Sequence, residues 1–233
     1  MAETLREIAF DTETTGLDPQ NGDRVIEMGA VEMVNHVSTG KTFRVLINPG
    51  REVSEATIRI TGLTDDILAD KPLFDDPSVV DALIDFIGDA QIVAHNANFD
   101  KGFLNMELER CGKPTYPDER WVDTLQIAKK RFPGAPASLD ALCRRFDISL
   151  ESRTLHGALL DAQLLASVYL ELLGGRARAF EFADNNGSGD QAQRAPAKPR
   201  PTPLKSLLSE EELALHKAFI ASMGEKSLWQ RYG

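Results

Sequence analysis

The sequence predicts an α/β fold: a mixed five-stranded sheet, its first three strands an antiparallel meander, covered by helices and followed by a flexible linker and a C-terminal tail. Three observations carry this. Short turn-rich links separate the first three strand-like runs, and links that short allow only antiparallel pairing. Beyond them the pattern changes from alternation to helical spacing broken by short apolar runs, as in βαβ units. Finally, Asp184–Pro203 contains no Val, Ile, Leu, Met or aromatic residue and has four prolines, so it cannot bury enough apolar surface to offset its conformational entropy.

The elements follow in order. Glu7–Glu13 is the first strand, and TTGLDPQNGD the turn after it. Arg24–Val34 is the second strand, and Thr42–Ile47 the third, after a turn at Ser38-Thr39-Gly40. Val79, Leu83, Ile84, Phe86 and Ile87 recur at the spacing of an amphipathic helix. Gln91–Ala94 reads as a short buried strand, and Phe99, Phe103 and Met106 begin another helix. Trp121–Thr124 is the fifth strand; Leu125–Phe132, Ser138–Phe146 and Gly157–Leu173 read as helices. In the tail, Ser209 followed by Glu212 forms a capping-box signature ahead of a helix.

This order divides the chain into a domain at 1–183, a flexible linker at 184–203 and a tail at 204–233. Charge divides the same way. Residues 1–183 carry 30 acidic and 19 basic side chains, and residues 184–233 carry 6 and 7. A net charge of −10 argues against a protein that holds long nucleic acid by its phosphates unaided. Carboxylates that bind divalent metals, or a partner that holds the polymer, resolve the difficulty. No run approaches the ~18 apolar residues of a membrane helix, and the N-terminus lacks a signal-peptide pattern, so a cytoplasmic location is expected. Two isolated cysteines, Cys111 and Cys143, make neither a disulfide framework nor a zinc site. The tail carries Trp229, Phe219 and six leucines, which suits a partner-docking peptide better than a frayed end.

Three clusters carry chemistry. In Phe10-Asp11-Thr12-Glu13, period-two geometry places Asp11 and Glu13 on one face of a strand, where they repel unless a cation sits between them. In HNANFD (95–100), a turn leads into a helix, with Asn96 or Asn98 as N-cap and Asp100 in the first turn, where an acid also complements the helix dipole. In LHGALLDAQLL, His156 and Asp161 are separated by about 140° of helical rotation. They converge only if His156 lies on the loop before the helix and Asp161 lies one turn inside. Each cluster alone has an ordinary structural explanation. Together, four carboxylates at the ends of buried elements can hold two hard cations, and two such cations can clamp an in-line phosphoryl displacement. A histidine beside them can accept the proton of the attacking water.

The ordered set DTETTG (11–16), HNANFD (95–100) and HGALLDA (156–162) closely resembles the DnaQ-like exonucleases with an Asp-Glu-Asp-Asp-His set. Within them it is most similar to the proofreading epsilon subunits of bacterial DNA polymerase III. RVIEMGAVEMVN, FPGAPASLDALC and the tail ending SLW extend the resemblance over nearly the whole chain. It implies a ribonuclease H-like fold and removal of mononucleotides from DNA 3′ ends during replication. It also implies two divalent ions, Mg2+ or Mn2+, on Asp11, Glu13, Asp100 and Asp161, with His156 as general base. Thr12, Thr14, Leu17, Thr61, His95, Asn96 and Phe99 are the expected substrate contacts, Leu17 as a wedge against the terminal base. The expected partner of 204–233 is the catalytic alpha subunit of the polymerase, and a small theta-type subunit stays open as another.

Two departures stand out. Thr61 replaces the histidine that close epsilon relatives often carry before Gly62. Arg176–Phe182 lacks the leading glutamine of the family's clamp-binding peptide, so sliding-clamp binding is expected to be weak or absent. The competing readings are an exoribonuclease trimming RNA 3′ ends and a subunit that mainly stabilises a polymerase.

Overall fold

The structure is a computed structural model that describes residues 4–150, 156–175 and 209–222. The chain divides into two units, Met1–Asn186 and Gly187–Gly233.

The first unit is built on five strands: β1 (Arg6–Thr14), β2 (Val25–Val34), β3 (Val37–Leu46), β4 (Gln91–Ala94) and β5 (Trp121–Asp123). Their order is β3-β2-β1-β4-β5. β1, β2 and β3 form an antiparallel meander, and β4 and β5 add in parallel on the far side of β1. The expected mixed five-stranded sheet is therefore present. The helices are α1 (Glu55–Thr61), α2 (Asp65–Leu68), α3 (Pro77–Ile87), α4 (Ala97–Arg110), α5 (Thr124–Arg131), α6 (Leu139–Arg145) and α7 (Ala158–Leu172).

Alternation along the strands separates two cores. Ile8 and Phe10 of β1, with Met28 and Ala30 of β2, face α3 and α4 through Val79, Val80, Leu83, Ile87, Phe103 and Leu104. Ala9, Val31, Met33 and Val93 face α7 through Ala162, Leu165, Ala166 and Tyr169. A second stripe of α7, Leu164, Val168 and Leu172, packs on Ala128, Leu142 and Cys143 of α5 and α6. With both sides covered, α7 is apolar nearly all round, as a helix sandwiched between a sheet and other helices must be.

Two local features differ from the sequence-based expectation. The β2–β3 turn is Asn35-His36, with φ 50° and 69°, the paired left-handed conformation of a tight hairpin. Ser38-Thr39-Gly40 instead lies inside β3, where the pairing slips opposite Val31–Met33; Gly40 (φ 86°) serves a bulge. Turn-forming residues mark a backbone irregularity without saying which kind. Helices α1 and α2 were also unanticipated. Their caps are nonetheless explicit: Ser54 accepts from the Thr57 amide, and Thr64 from that of Ile67.

In the second unit, α8 (Glu210–Ser222) is the described element. The expected capping box closes it. The Glu212 amide donates to Ser209 Oγ at 3.2 Å, and Ser209 N donates to the Glu212 carboxylate at 2.8 Å. Leu213, Leu215 and Phe219 are exposed on it. The linker 184–203, the peptide Arg176–Phe182 and Trp229 lie outside the described residues. None of the described helices is long and apolar enough to cross a membrane.

Candidate active site

The three sequence clusters meet where the carboxyl ends of β1 and β4 adjoin. These parallel neighbours leave in opposite directions across the sheet, the position at which open α/β sheets form a crevice. Asp11 and Glu13 project to the α7 face of β1, and each is half-buried. Their partners across the β1–β2 ladder are Gly29 and Glu27.

Helix α4 delivers the third acid. It starts behind Asn96, which holds a left-handed φ of 69° and caps through no side-chain bond. Asp123 fixes that turn from β5, accepting from the Asn96 amide at 3.1 Å and from the Leu125 amide at 2.9 Å. Asp100, one turn in, is 3% exposed, and Thr12 Oγ1 donates to its Oδ1 at 2.8 Å. Burial pushes the Asp100 carboxyl up to about 7, against the lowering effect of the Thr12 hydrogen bond. Beside it, the Thr124 hydroxyl donates to the Ala94 carbonyl, which leaves His95 Nδ1, 2.9 Å away, as donor to Thr124. Burial also lowers the His95 pKa, so the ring is held neutral.

Helix α7 delivers the fourth acid and the histidine. His156 precedes the N-cap Gly157, and its amide donates to the Ile60 carbonyl of α1 at 3.0 Å. Asp161 lies in the first turn and is 3% exposed. His156 Nδ1 stands 3.3 Å from Asp161 Oδ2. The 140° objection is met because one residue of the pair is outside the helix.

Asp11, Glu13, Asp100, His156 and Asp161 thus line one cleft of about 220 Å3, together with His95 and Asn96. Donor atoms of Glu13, His156 and Asp161 all fall within 4.8 Å of one another. Carboxylate oxygens at that spacing, with the buried Asp161 among them, suit a hard divalent cation.

A larger cavity of about 410 Å3 adjoins the cleft, sharing Thr12, Glu13 and Phe99 with it. Thr14, Leu17 and Thr61 line it, while His95 and Asn96 line the acidic cleft alone. Leu17 is 85% exposed at the rim of this cavity. Thr61 reaches the cavity, but its hydroxyl donates to the Thr57 carbonyl and accepts from the Leu63 amide. It finishes α1 and offers no replacement for an imidazole. The opposite wall, Ala56, Thr57 and Ile60 of α1, was missed by sequence reasoning. The Ser54 cap would have revealed the helix, although nothing local says that it faces the strand carrying Asp11.

Burial of Asp100 has a consequence for stability. Below about pH 4 its carboxyl is protonated both folded and unfolded, and costs nothing. As pH rises toward 7 the unfolded chain releases the proton first, so metal-free stability falls, with the full penalty present above about pH 7. Asp100→Asn is therefore expected to raise the metal-free Tm at about pH 8, with the gain vanishing below about pH 4. Thermal melts in a chelator check it; a gain independent of pH would refute the cause given.

Residues 8–169 match the family profile RNase_T, described as exonuclease. The chain is 44% identical over 226 residues to DNA polymerase III subunit epsilon of Rickettsia conorii, covering 94% of this chain and 96% of that one. It is 40% identical to the subunit of the same name from Salmonella typhimurium, with 97% of each covered. The chain belongs to the exonuclease family of DNA polymerase III epsilon subunits. It is a 3′–5′ proofreading exonuclease, and divalent metal chemistry comes with that membership. Among solved structures, exonuclease X in complex with 5′ overhanging duplex DNA matches with a TM-score of 0.57 and 26% identity, covering 74% of this chain and 93% of that one. The nuclease domain of 3′hExo, a DEDDh family member, shares the fold with a TM-score of 0.62 at 20% identity, covering 74% and 94%.

Proposed function

We propose that this epsilon-family exonuclease removes mispaired nucleotides one at a time from DNA 3′ ends at the bacterial replisome. In this reading Asp11, Glu13, Asp100 and Asp161 hold two divalent ions, Mg2+ or Mn2+, and His156 is the general base. The observation that carries it is the convergence of acids from β1, α4 and α7 on one cleft with a half-exposed imidazole at its rim. When bound, the ions supply electrostatic stabilisation to the attacking and leaving oxygens. His156 accepts the proton of the attacking water, and Asp161 beside it steadies the resulting imidazolium. The larger cavity receives the terminal nucleotide, with Phe99, the apolar wall of α1 and the wedge of Leu17 against its base.

A 5′-labelled oligonucleotide with a mismatched 3′ end tests this directly. Shortening from the 3′ end is expected with Mg2+ or Mn2+, and none in EDTA. A matched RNA strand should be degraded more slowly. Equal shortening in EDTA, or faster turnover of RNA, would overturn the reading.

The division into a catalytic domain (1–183), a linker (184–203) and a tail (204–233) belongs to the same proposal. The exposed Leu213, Leu215 and Phe219 of α8 support a docking role, with the catalytic alpha subunit of the polymerase as partner. Deleting 204–233 is expected to abolish co-elution with that subunit while oligonucleotide hydrolysis stays within about twofold. Co-elution of the truncated chain would remove the tail's role.

A further inference from the structure

Helix α7 carries both His156, just before its first turn, and Asp161 within it, yet its N-cap residue is Gly157, which has no side chain to close the exposed amides. A residue from another element does so. Glu27 of β2 is 2% exposed, and its Oε2 accepts from the Ala158 amide at 3.3 Å. Its Oε1 is held by Arg44 Nε of β3 at 2.6 Å. The helix end lies directly on the sheet here. A Cβ placed on Gly29 would lie 2.1 Å from the Ala158 carbonyl carbon, so only glycine admits α7 at this distance. Gly29 and Glu27 are the ladder partners of Asp11 and Glu13. The residues that seat α7 are thus one strand away from the acids that α7 must meet.

We infer that Glu27, oriented by Arg44, is a positioning residue for catalysis: a cap supplied across the sheet that fixes His156 and Asp161 against Asp11 and Glu13. With one oxygen given to Arg44 and the other to Ala158, Glu27 acts through α7 and is not itself a metal ligand. A carboxylate at a helix N-terminus also favours the dipole, so the seat is both hydrogen-bonded and electrostatic. Loss of the seat lets the helix end shift by fractions of an ångström, and misplacement on the scale of 1 Å costs about a hundredfold in rate.

This rests on the site reading above, and the variants separate the two. Glu27→Ala is expected to lower kcat by about ten- to a hundredfold, with KM for a single-stranded oligonucleotide within about threefold. The rise in Tm that Mn2+ gives the parent should shrink, because Asp161 no longer sits in register. Glu27→Gln retains an acceptor for Ala158, and the half-exposed Arg44 can turn to solvent, so this variant should recover most of kcat and of the Mn2+ effect. Gly157 is extended (φ −157°, ψ 126°), a conformation open to any residue. Gly157→Ser added to Glu27→Ala should therefore rebuild a local cap and restore activity, including in the event that Glu27→Ala alone folds poorly. A fully active Glu27→Ala, a Glu27→Gln as impaired as the alanine variant, or failure of the double variant to recover would each overturn the cap. Activity surviving in Asp161→Ala would sink the site reading itself.

Discussion

Replacing Asp11 and Glu13 together by alanine is expected to lower 3′ nucleotide release by at least about a thousandfold at saturating Mg2+. That corresponds to about 4 kcal/mol of transition-state stabilisation, within the several kcal/mol that bound metal supplies in phosphoryl transfer. The fold should survive. Both side chains are half-buried at the mouth of a cleft, and removing two like charges from one face of a strand relieves repulsion. A second readout is independent of turnover. A cation at a hundred times its Kd stabilises the parent by about 2.7 kcal/mol, and the double variant should lose that thermal shift. Hydrolysis at a rate comparable to the parent would mean that the reaction does not run through these carboxylates.

His156→Ala is the second large effect, a loss of roughly 10²–10⁴ in rate. Here the metal-dependent thermal shift should persist, because Asp11, Glu13, Asp100 and Asp161 all remain. A general base acts unprotonated, so the parent's activity is expected to rise with pH where the variant's does not. Parent and variant compared at saturating Mg2+ from about pH 6 to about pH 9 decide the role. If the variant kept the parent's profile with only a small loss in rate, His156 would be left as a group that orients the water, and the base would lie elsewhere.

Much of the site was legible in sequence because its members are tied to local rules. Asp11 and Glu13 share a face by strand alternation. Asp100 and Asp161 each fall in the first turn of a helix, and the angle between His156 and Asp161 already required the histidine to precede its helix. The five strands and their meander followed from alternation and from the brevity of the links.

What the sequence could not determine is what long-range packing decides. The hairpin turn fell at Asn35-His36 and not at Ser38-Thr39-Gly40, because register is fixed by which residues pair across the sheet, not by turn propensity alone. The α1 wall of the larger cavity was invisible, since its seven residues carry a cap but no periodicity long enough to indicate a face. The raised Asp100 carboxyl arises from burial under elements distant in the chain. Glu27 reads in sequence as one more acid in a strand. It becomes a cap only because Gly29, two residues on, lets the end of a helix 131 positions away settle onto its carboxylate. The sequence by itself singled out the residues proposed to carry the chemistry; the tertiary structure decided how closely they approach, because that distance is set by backbone contacts between elements that no local pattern encodes.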